Sequence, residues 1–118
     1  MHDVQDALRA RREVALERLA ALTSERARII DASRDDNADD EHDPEGATIA
    51  WDREQTTALV QSTSAQLQQI DLALARIADG WDGSCHVCGK PIGHERLLAR
   101  PATDQCIACA ERPGRSGR

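Results

Sequence analysis

Aromatic side chains are nearly absent from this 118-residue chain, which has two tryptophans, Trp51 and Trp81, and no Phe or Tyr. A compact core of this size would normally contain more of them, because aromatic rings contribute much of the buried apolar area of a domain. Alanine, leucine and arginine are abundant instead, a composition typical of long helices. We therefore expect an elongated helical element with a small module attached.

Other absences exclude whole classes of function. No segment approaches the roughly 20 consecutive apolar residues of a membrane span. The net charge is -6, and few aromatics are present for base stacking, so direct sequence-specific DNA binding is not expected. No nucleophile–base pair, Gly-rich phosphate loop or open metal site is visible, so we expect no enzyme. The start of the chain shows no basic segment followed by an apolar stretch, which favours a cytoplasmic protein.

The cysteines form the strongest motif in the chain. They stand in two C-x-x-C pairs separated by seventeen residues: Cys85, Cys88, Cys106 and Cys109. Two such pairs about 15–20 residues apart are typical of a tetrahedral zinc site with four thiolate ligands. Because four cysteines leave no coordination position for water, we predict one structural Zn²⁺ ion rather than a catalytic one.

Two other interpretations of the cysteines are weaker. Two disulfides would suit a secreted domain, but a cytosolic chain keeps its thiols reduced. A redox dithiol is weaker still, since two pairs are present and no βαβ pattern surrounds either. His86 lies inside the first pair, but we expect it to face solvent, because four thiolates already complete the site.

Two long helices are predicted before the cysteines. No Gly or Pro interrupts residues 4–33, and apolar residues recur there at three- and four-residue steps, with Arg12 and Arg26 in the same stripe. This first stripe contains Leu8, Ala15, Leu19, Leu22 and Ile29. The second stripe contains Val60, Thr63, Leu67, Ile70, Leu74 and Ile77, and Gly80 should end its helix.

A short linker, about residues 34–42, favours antiparallel pairing of these helices. A parallel homodimer would also bury both stripes, but it would leave the two stripes of one chain facing different partners. We favour the hairpin and therefore a monomer. Asp43 and Pro44 are typical of a helix start, since Asp can cap and Pro suits the first helical position. Trp51 is expected to pack across the hairpin, with partial exposure as the alternative, and Trp81 to cover the joint with the zinc module.

Charge is unevenly distributed along the chain. Residues 31–45 contain eight acidic side chains and one basic side chain, Arg34, whereas the segment from Cys85 onward has six Lys or Arg and three acids. An acidic run of this kind is often only a solvated loop. On the basic side, Arg96 and Arg100 could contact an acidic rim on a partner, or Arg96 could bond carbonyls within its own module.

The zinc segment resembles a known family. The string Cys85-x-x-Cys88-Gly-x-x-Ile-x-x-x-Arg96-Leu-x-Ala-x-Pro, followed by Cys106-x-x-Cys109, is similar to that of the DksA/TraR zinc-finger proteins. The resemblance covers about residues 35–109 and includes a coiled-coil hairpin with an acidic tip. It implies a non-enzymatic regulator whose hairpin enters the secondary channel of bacterial RNA polymerase and whose zinc module contacts the polymerase rim.

On this resemblance, the tip near residues 35–47 acts close to the polymerase active site through acidic residues: Asp39, Asp40, Asp43 and Glu45. The family tip often reads Asp-x-x-Asp-x-Ala, whereas Gly46 and Thr48 stand at the second Asp and the Ala here. Guanosine tetraphosphate often acts with the family. The nine residues after Cys109 weigh against the C-terminal helix that helps to bind this nucleotide in longer members.

These patterns together predict an all-α fold, a long antiparallel coiled-coil hairpin followed by a small four-cysteine zinc-finger module. The hairpin should span residues 1–80, the module 81–112, and a disordered tail 113–118. The main functional hypothesis is a transcription regulator that binds RNA polymerase. The alternative is an adaptor, a zinc-stapled coiled coil that binds another protein and has no role at polymerase.

Overall fold

The computed structural model describes residues 1–35 and 44–112. Within these ranges the chain forms four helices and no β-strand, with a single isolated bridge between Ser84 and Pro91. The helices are α1 (His2–Asp35), α2 (Pro44–Ala78), α3 (His94–Ala99) and α4 (Ile107–Ala110). The predicted all-α class is therefore confirmed. The predicted tail at 113–118 lies outside the described residues.

Both long helices begin and end close to their predicted limits. α1 is two residues longer at each end than predicted, and α2 begins at Pro44 as expected. Gly80 has a φ of +98°, its N–H donates to Ile77 O (3.0 Å), and the N–H of Trp81 donates to Arg76 O (3.1 Å). This pair of hydrogen bonds closes the helix in a Schellman motif, which requires a residue that tolerates positive φ. Gly80 thus ends α2 as predicted.

The chain divides into two compact units, and each contains part of both long helices. The first unit comprises Met1–Glu13 together with the chain from Gln68 onward, and the second comprises Val14–Leu67. The sequence-based boundary after residue 80 remains a prediction. No described helix is both long enough and apolar enough to cross a membrane.

The first unit has a continuous apolar core. Its buried members come from the start of α1, the end of α2 and the cysteine-rich segment: Val4, Leu8, Ile70, Ala73, Ile77, Cys85, Ile92, Leu97 and Cys109. Because the start of one helix packs against the end of the other, the pairing here is antiparallel. Arg12 strengthens it, since its Nε donates to Asp71 Oδ1 at 2.7 Å. Both side chains are about half exposed, so this ion pair contributes less than about 1 kcal/mol.

The second unit buries less apolar surface, and its seam is partly polar. Ala15 and Leu67 are buried, but so are Thr56 and Thr63. The remaining apolar members of the two predicted stripes in this unit are only partly buried: Leu19, Leu22, Ile29 and Val60. Arg26, which the sequence places in the seam, donates from Nε to Thr57 Oγ1 at 2.8 Å. This contact again joins the two helices in antiparallel order.

Trp51 does not pack across the helix pair. Its side chain is 60% exposed, so the expectation of burial was wrong and the alternative of an exposed ring holds. The tertiary packing makes Thr56 a seam residue, and the helical period then turns Trp51 away from the seam. Trp51 precedes the buried Thr56 by five residues, a step of about 500°, or 140° around the helix axis away from the seam.

Truncating a core leucine tests this arrangement. Leu8 is fully buried, whereas Leu72 on the other long helix is 51% exposed. We expect Leu8→Ala to destabilise the first unit by about 2–5 kcal/mol, because it removes buried methyl groups and leaves a cavity. The matched change Leu72→Ala should alter stability by no more than about 0.5 kcal/mol. Urea unfolding of zinc-loaded protein, followed by far-UV circular dichroism, measures both, and equal effects would contradict the assigned core.

Candidate metal centre

A short turn positions the first cysteine pair. The N–H of Cys85 donates to Lys90 O (2.7 Å), and the N–H of Gly89 donates back to Cys85 O (2.9 Å). Gly89 follows the pair and has a φ of +77°, a conformation that glycine tolerates because it has no Cβ. The chain therefore reverses tightly, which turns the side chains of Cys85 and Cys88 toward the same point.

A helical turn positions the second pair. Cys106 has extended backbone angles (φ -71°, ψ 165°) and lies at the N-terminus of α4, whose third residue is Cys109. The N–H of Ala110 donates to Cys106 O at 3.0 Å and closes the turn. Residues three apart on a helix lie on the same face, so this geometry brings the two thiols together.

The four sulfur atoms have the spacing of a zinc–thiolate centre. All of them lie within 4.8 Å of one another, and those of Cys88 and Cys106 are 3.8 Å apart. Four sulfurs placed tetrahedrally at about 2.3 Å from one ion lie about 3.8 Å from each other. A disulfide would need about 2.05 Å, and all four cysteines are free thiols, so the disulfide interpretation is excluded.

Electrostatics of the sulfur cluster favour a bound dication. Burial, together with hydrogen bonding to the three neighbouring thiols, raises the pKa of Cys109 to about 12. Burial also opposes ionisation of Cys85, but hydrogen bonds from backbone groups, that of Cys106 foremost, lower its pKa to about 6. Thus one thiol of the set ionises readily while another resists. A divalent cation removes this conflict because it stabilises every thiolate at once.

The chemistry is that of one structural zinc ion. The ring of His86 is exposed, and the backbone N–H of this residue donates to Asp104 O (2.8 Å). Cys85, Cys88, Cys106 and Cys109 therefore complete a closed set of four ligands, with no position for a substrate or water.

Several contacts join the zinc module to the long helices of the first unit. Two of the ligands, Cys85 and Cys109, belong to the apolar core described above. Trp81 is partly buried against this core, its Nε1 donates to Ser84 O (3.0 Å), and the guanidinium of Arg76 lies 4.9 Å from the centre of its ring. Trp81 therefore covers the joint, as predicted.

Sequence patterns did not indicate two other contacts of this joint. Arg11 on α1 donates from Nη2 to Ala99 O (3.1 Å) at the end of α3, and His94 Nε2 lies 3.4 Å from Asp3 Oδ2. Both pairs join residues about ninety positions apart in the chain. No local spacing rule connects such residues, so only the folded chain reveals them.

The candidate partner-binding residues are in different environments. Arg96 is partly buried and donates from Nε to Gln105 O (2.9 Å), which is the intramodular role considered as an alternative. Arg100 is exposed. Of the predicted tip residues, Asp39, Asp40 and Asp43 lie outside the described residues, and Glu45 belongs to the first turn of α2. The roles of these residues at a partner remain predictions.

Removing one thiolate tests the metal centre. We expect Cys106→Ser to release zinc and to unfold the segment after α2, because metal binding contributes on the order of 10 kcal/mol to modules of this kind. Much of the helicity of α1 and α2 should survive. Zinc content after gel filtration and far-UV circular dichroism measure the two effects. His86→Ala serves as the control and should keep one zinc per chain, whereas a Cys106→Ser protein with full zinc content would contradict the ligand set.

Comparison with known proteins agrees with this geometry. Residues 83–113 match the family described as the prokaryotic dksA/traR C4-type zinc finger. Over 52 residues the chain is 42% identical to the RNA polymerase-binding transcription factor DksA of Caulobacter vibrioides, covering 44% of this chain and 37% of that protein. Over 43 residues it is 42% identical to the protein of the same name from Escherichia coli K12, covering 36% and 28%. These alignments span only about a third of the curated relatives.

A solved structure extends the likeness to most of the chain. The structure of transcription factor DksA2 from Pseudomonas aeruginosa matches with a TM-score of 0.58 and 31% sequence identity, covering 92% of this chain and 81% of that one. The match includes the long helices as well as the cysteine-rich segment. The four-cysteine centre, the helical fold and this extended likeness together place the chain in the DksA/TraR family.

Proposed function

We propose that this protein is a transcription regulator that binds bacterial RNA polymerase. The observation that carries the proposal is the likeness to transcription factor DksA2 over 92% of the chain, which includes the helices as well as the zinc segment. Curated relatives that match 44% and 36% of the chain are named RNA polymerase-binding transcription factors. The closed zinc site supports a regulatory rather than a catalytic role, because its four thiolates leave no position for a substrate.

The proposed mode of binding is insertion of the paired helices into the secondary channel of polymerase. α1 and α2 contain 34 and 35 residues, so each helix is about 50 Å long at 1.5 Å per residue. A helix of this length can reach into a channel that a compact domain could not enter. Polymerase is a cytoplasmic enzyme, so we propose the same location for this protein, which acts as a monomer in this mode.

The acidic segment is the part of the protein that we propose acts on polymerase. Asp39, Asp40, Asp43 and Glu45 belong to the run of eight acidic residues between positions 31 and 45. Carboxylates brought near a polymerase active site can contact basic side chains, perturb a magnesium site or repel nucleic acid. Each of these effects would destabilise promoter complexes without any chemistry by the regulator itself.

The zinc module is the proposed contact with the polymerase rim. Lys90 and Arg100 are exposed there and suit an acidic surface. The Nε donor of Arg96 is already bonded to Gln105, so Arg100 is the better placed of the two arginines for a partner. Guanosine tetraphosphate is not required in this proposal.

Direct binding tests the proposal. We expect fluorescently labelled, zinc-loaded protein to bind purified core RNA polymerase saturably, with anisotropy as the measurement. A cleavage factor that occupies the secondary channel should displace it, because both need the same opening. Saturable binding that this competitor does not reverse would contradict insertion into the channel. Absence of binding at micromolar polymerase would contradict the whole proposal and favour the adaptor alternative.

Neutralising the tip separates binding from regulation. We expect Asp43→Asn combined with Glu45→Gln to bind polymerase within about twofold of the unchanged protein, because rim contacts on the zinc module are intact. The same variant should lose its effect on promoter-complex lifetime. Asp79→Asn with Glu111→Gln removes two exposed charges in the other unit and should keep the effect. Lifetimes that respond equally to both double variants would remove the tip from the mechanism.

A further inference from the structure

Three consecutive backbone carbonyls just before the second cysteine pair are held by three different parts of the first unit. Thr103 O accepts from Arg76 Nη2 on α2 at 3.5 Å, and Asp104 O accepts from the N–H of His86 at 2.8 Å. Gln105 O accepts from Arg96 Nε on α3 at 2.9 Å. We call residues 103–105 the carbonyl segment. This segment belongs to no helix or strand. Its carbonyls are therefore satisfied by side chains and by the backbone of a distant residue rather than by regular backbone hydrogen bonds.

The last of these bonds is directly connected to the metal centre. Gln105 O belongs to the peptide group whose nitrogen is that of Cys106. Because a peptide group is planar, fixing its oxygen fixes the orientation of the plane from which the Cys106 side chain projects. Cys106 also begins α4, which carries the ligand Cys109. A hydrogen bond to Gln105 O therefore helps to set the positions of both ligands of the second pair.

Arg96 is suited to this task by shape. The Nε of a guanidinium lies in a rigid plane with two other nitrogens, whereas a lysine ammonium is a flexible point donor. Arg96 is partly buried, and its buried Nη2 has no hydrogen-bond partner among the residues that the structure describes. Within the described ranges it forms no ion pair with an acid. The bond from Nε to Gln105 O is thus the polar contact that the structure gives this side chain.

Thr103 provides a second hydrogen bond to the same carbonyl. Its Oγ1 donates to Gln105 O (3.2 Å) and accepts from the N–H of Gln105 (3.2 Å). The carbonyl of Gln105 consequently has two donors, one from α3 and one from within the carbonyl segment. Outer groups that hold metal ligands in place commonly change metal affinity when they are removed.

We propose that Arg96 is a positioning residue of the zinc centre, which holds the Gln105–Cys106 peptide in the ligand geometry and thereby slows the loss of zinc. It touches no metal and acts only through Cys106. Thr103 assists through the same carbonyl. The proposal concerns the metal centre alone and is independent of any partner of the protein.

Zinc release from the full-length protein tests the proposal. We expect Arg96→Gln to transfer zinc to a coloured chelator about 10–100 times faster than the unchanged protein, because loss of outer-sphere contacts typically weakens metal affinity by that factor. Arg96→Lys should fall in between, because it keeps a charge but not the planar donor. Arg100→Gln is the matched control, because Arg100 is an exposed arginine in the same module whose side chain bonds to none of the described residues, and it should release zinc at the unchanged rate.

A cobalt-substituted protein gives a second readout that a general loss of stability would not produce. Co²⁺ bound by four thiolates absorbs visible light in bands that depend on the tetrahedral geometry of the sulfurs. We expect these bands to shift in folded Arg96→Gln and to stay unchanged in Arg100→Gln. Zinc release within twofold of the unchanged protein, with unchanged cobalt bands, would overturn the proposal. So would equal acceleration by Arg100→Gln.

Thr103→Val keeps the proposal testable if Arg96→Gln does not fold. Valine has nearly the shape of threonine but lacks the hydroxyl that bridges the N–H and carbonyl of Gln105. We expect faster zinc release in the same direction as for Arg96→Gln, with a smaller factor. An unchanged release rate and unchanged cobalt bands in Thr103→Val would then overturn the assigned role of the Gln105 carbonyl.

Discussion

Coordination of one zinc ion by four thiolates is the interaction on which the first unit depends. The cysteine-rich segment has only two short helices, of six and four residues, and no strand among its described residues. So small a segment cannot bury enough apolar surface to fold by itself. Because Cys85 and Cys109 also belong to the core formed with Val4 and Leu8, metal binding is coupled to the packing of both long helices. The metal thus joins the ends of the helix pair to one rigid module.

The two units differ in how they are stabilised. The first combines a metal with a continuous apolar core, whereas the second buries two threonines beside Ala15 and Leu67 and uses an Arg26–Thr57 hydrogen bond. Polar groups in a seam contribute less than apolar ones, but they favour particular pairings over others. In the proposed function, a partly polar seam would favour the correct pairing of the helices, which insertion into polymerase needs more than high stability. In that function, the metal-stabilised first unit would contact the polymerase rim, and the second unit, with its partly polar seam, would enter the channel.

Arginine side chains have several distinct structural uses in the first unit. Arg12 pairs with Asp71 across the helices, Arg11 caps the carbonyl end of α3 through Ala99 O, and Arg96 holds the peptide before Cys106. With no phenylalanine or tyrosine available, long guanidinium side chains cover surface and satisfy carbonyls at the same time. The high arginine content of this acidic protein is therefore explained in part by its fold rather than by an affinity for nucleic acid.

Local sequence rules determined the parts of this protein that depend on neighbours in the chain. The period of apolar residues defined the two helices, and Pro44 and Gly80 marked the start and end of α2. The C-x-x-C spacing identified all four ligands. Each of these signals operates within a few residues of the chain. Tertiary structure alone decided the exposure of Trp51, the Arg11–Ala99 and His94–Asp3 contacts, and the bonds that hold the carbonyls before Cys106. Burial of a given ring and hydrogen bonds between distant residues arise only when the whole chain has folded, since they depend on which surfaces meet and not on any spacing along the sequence.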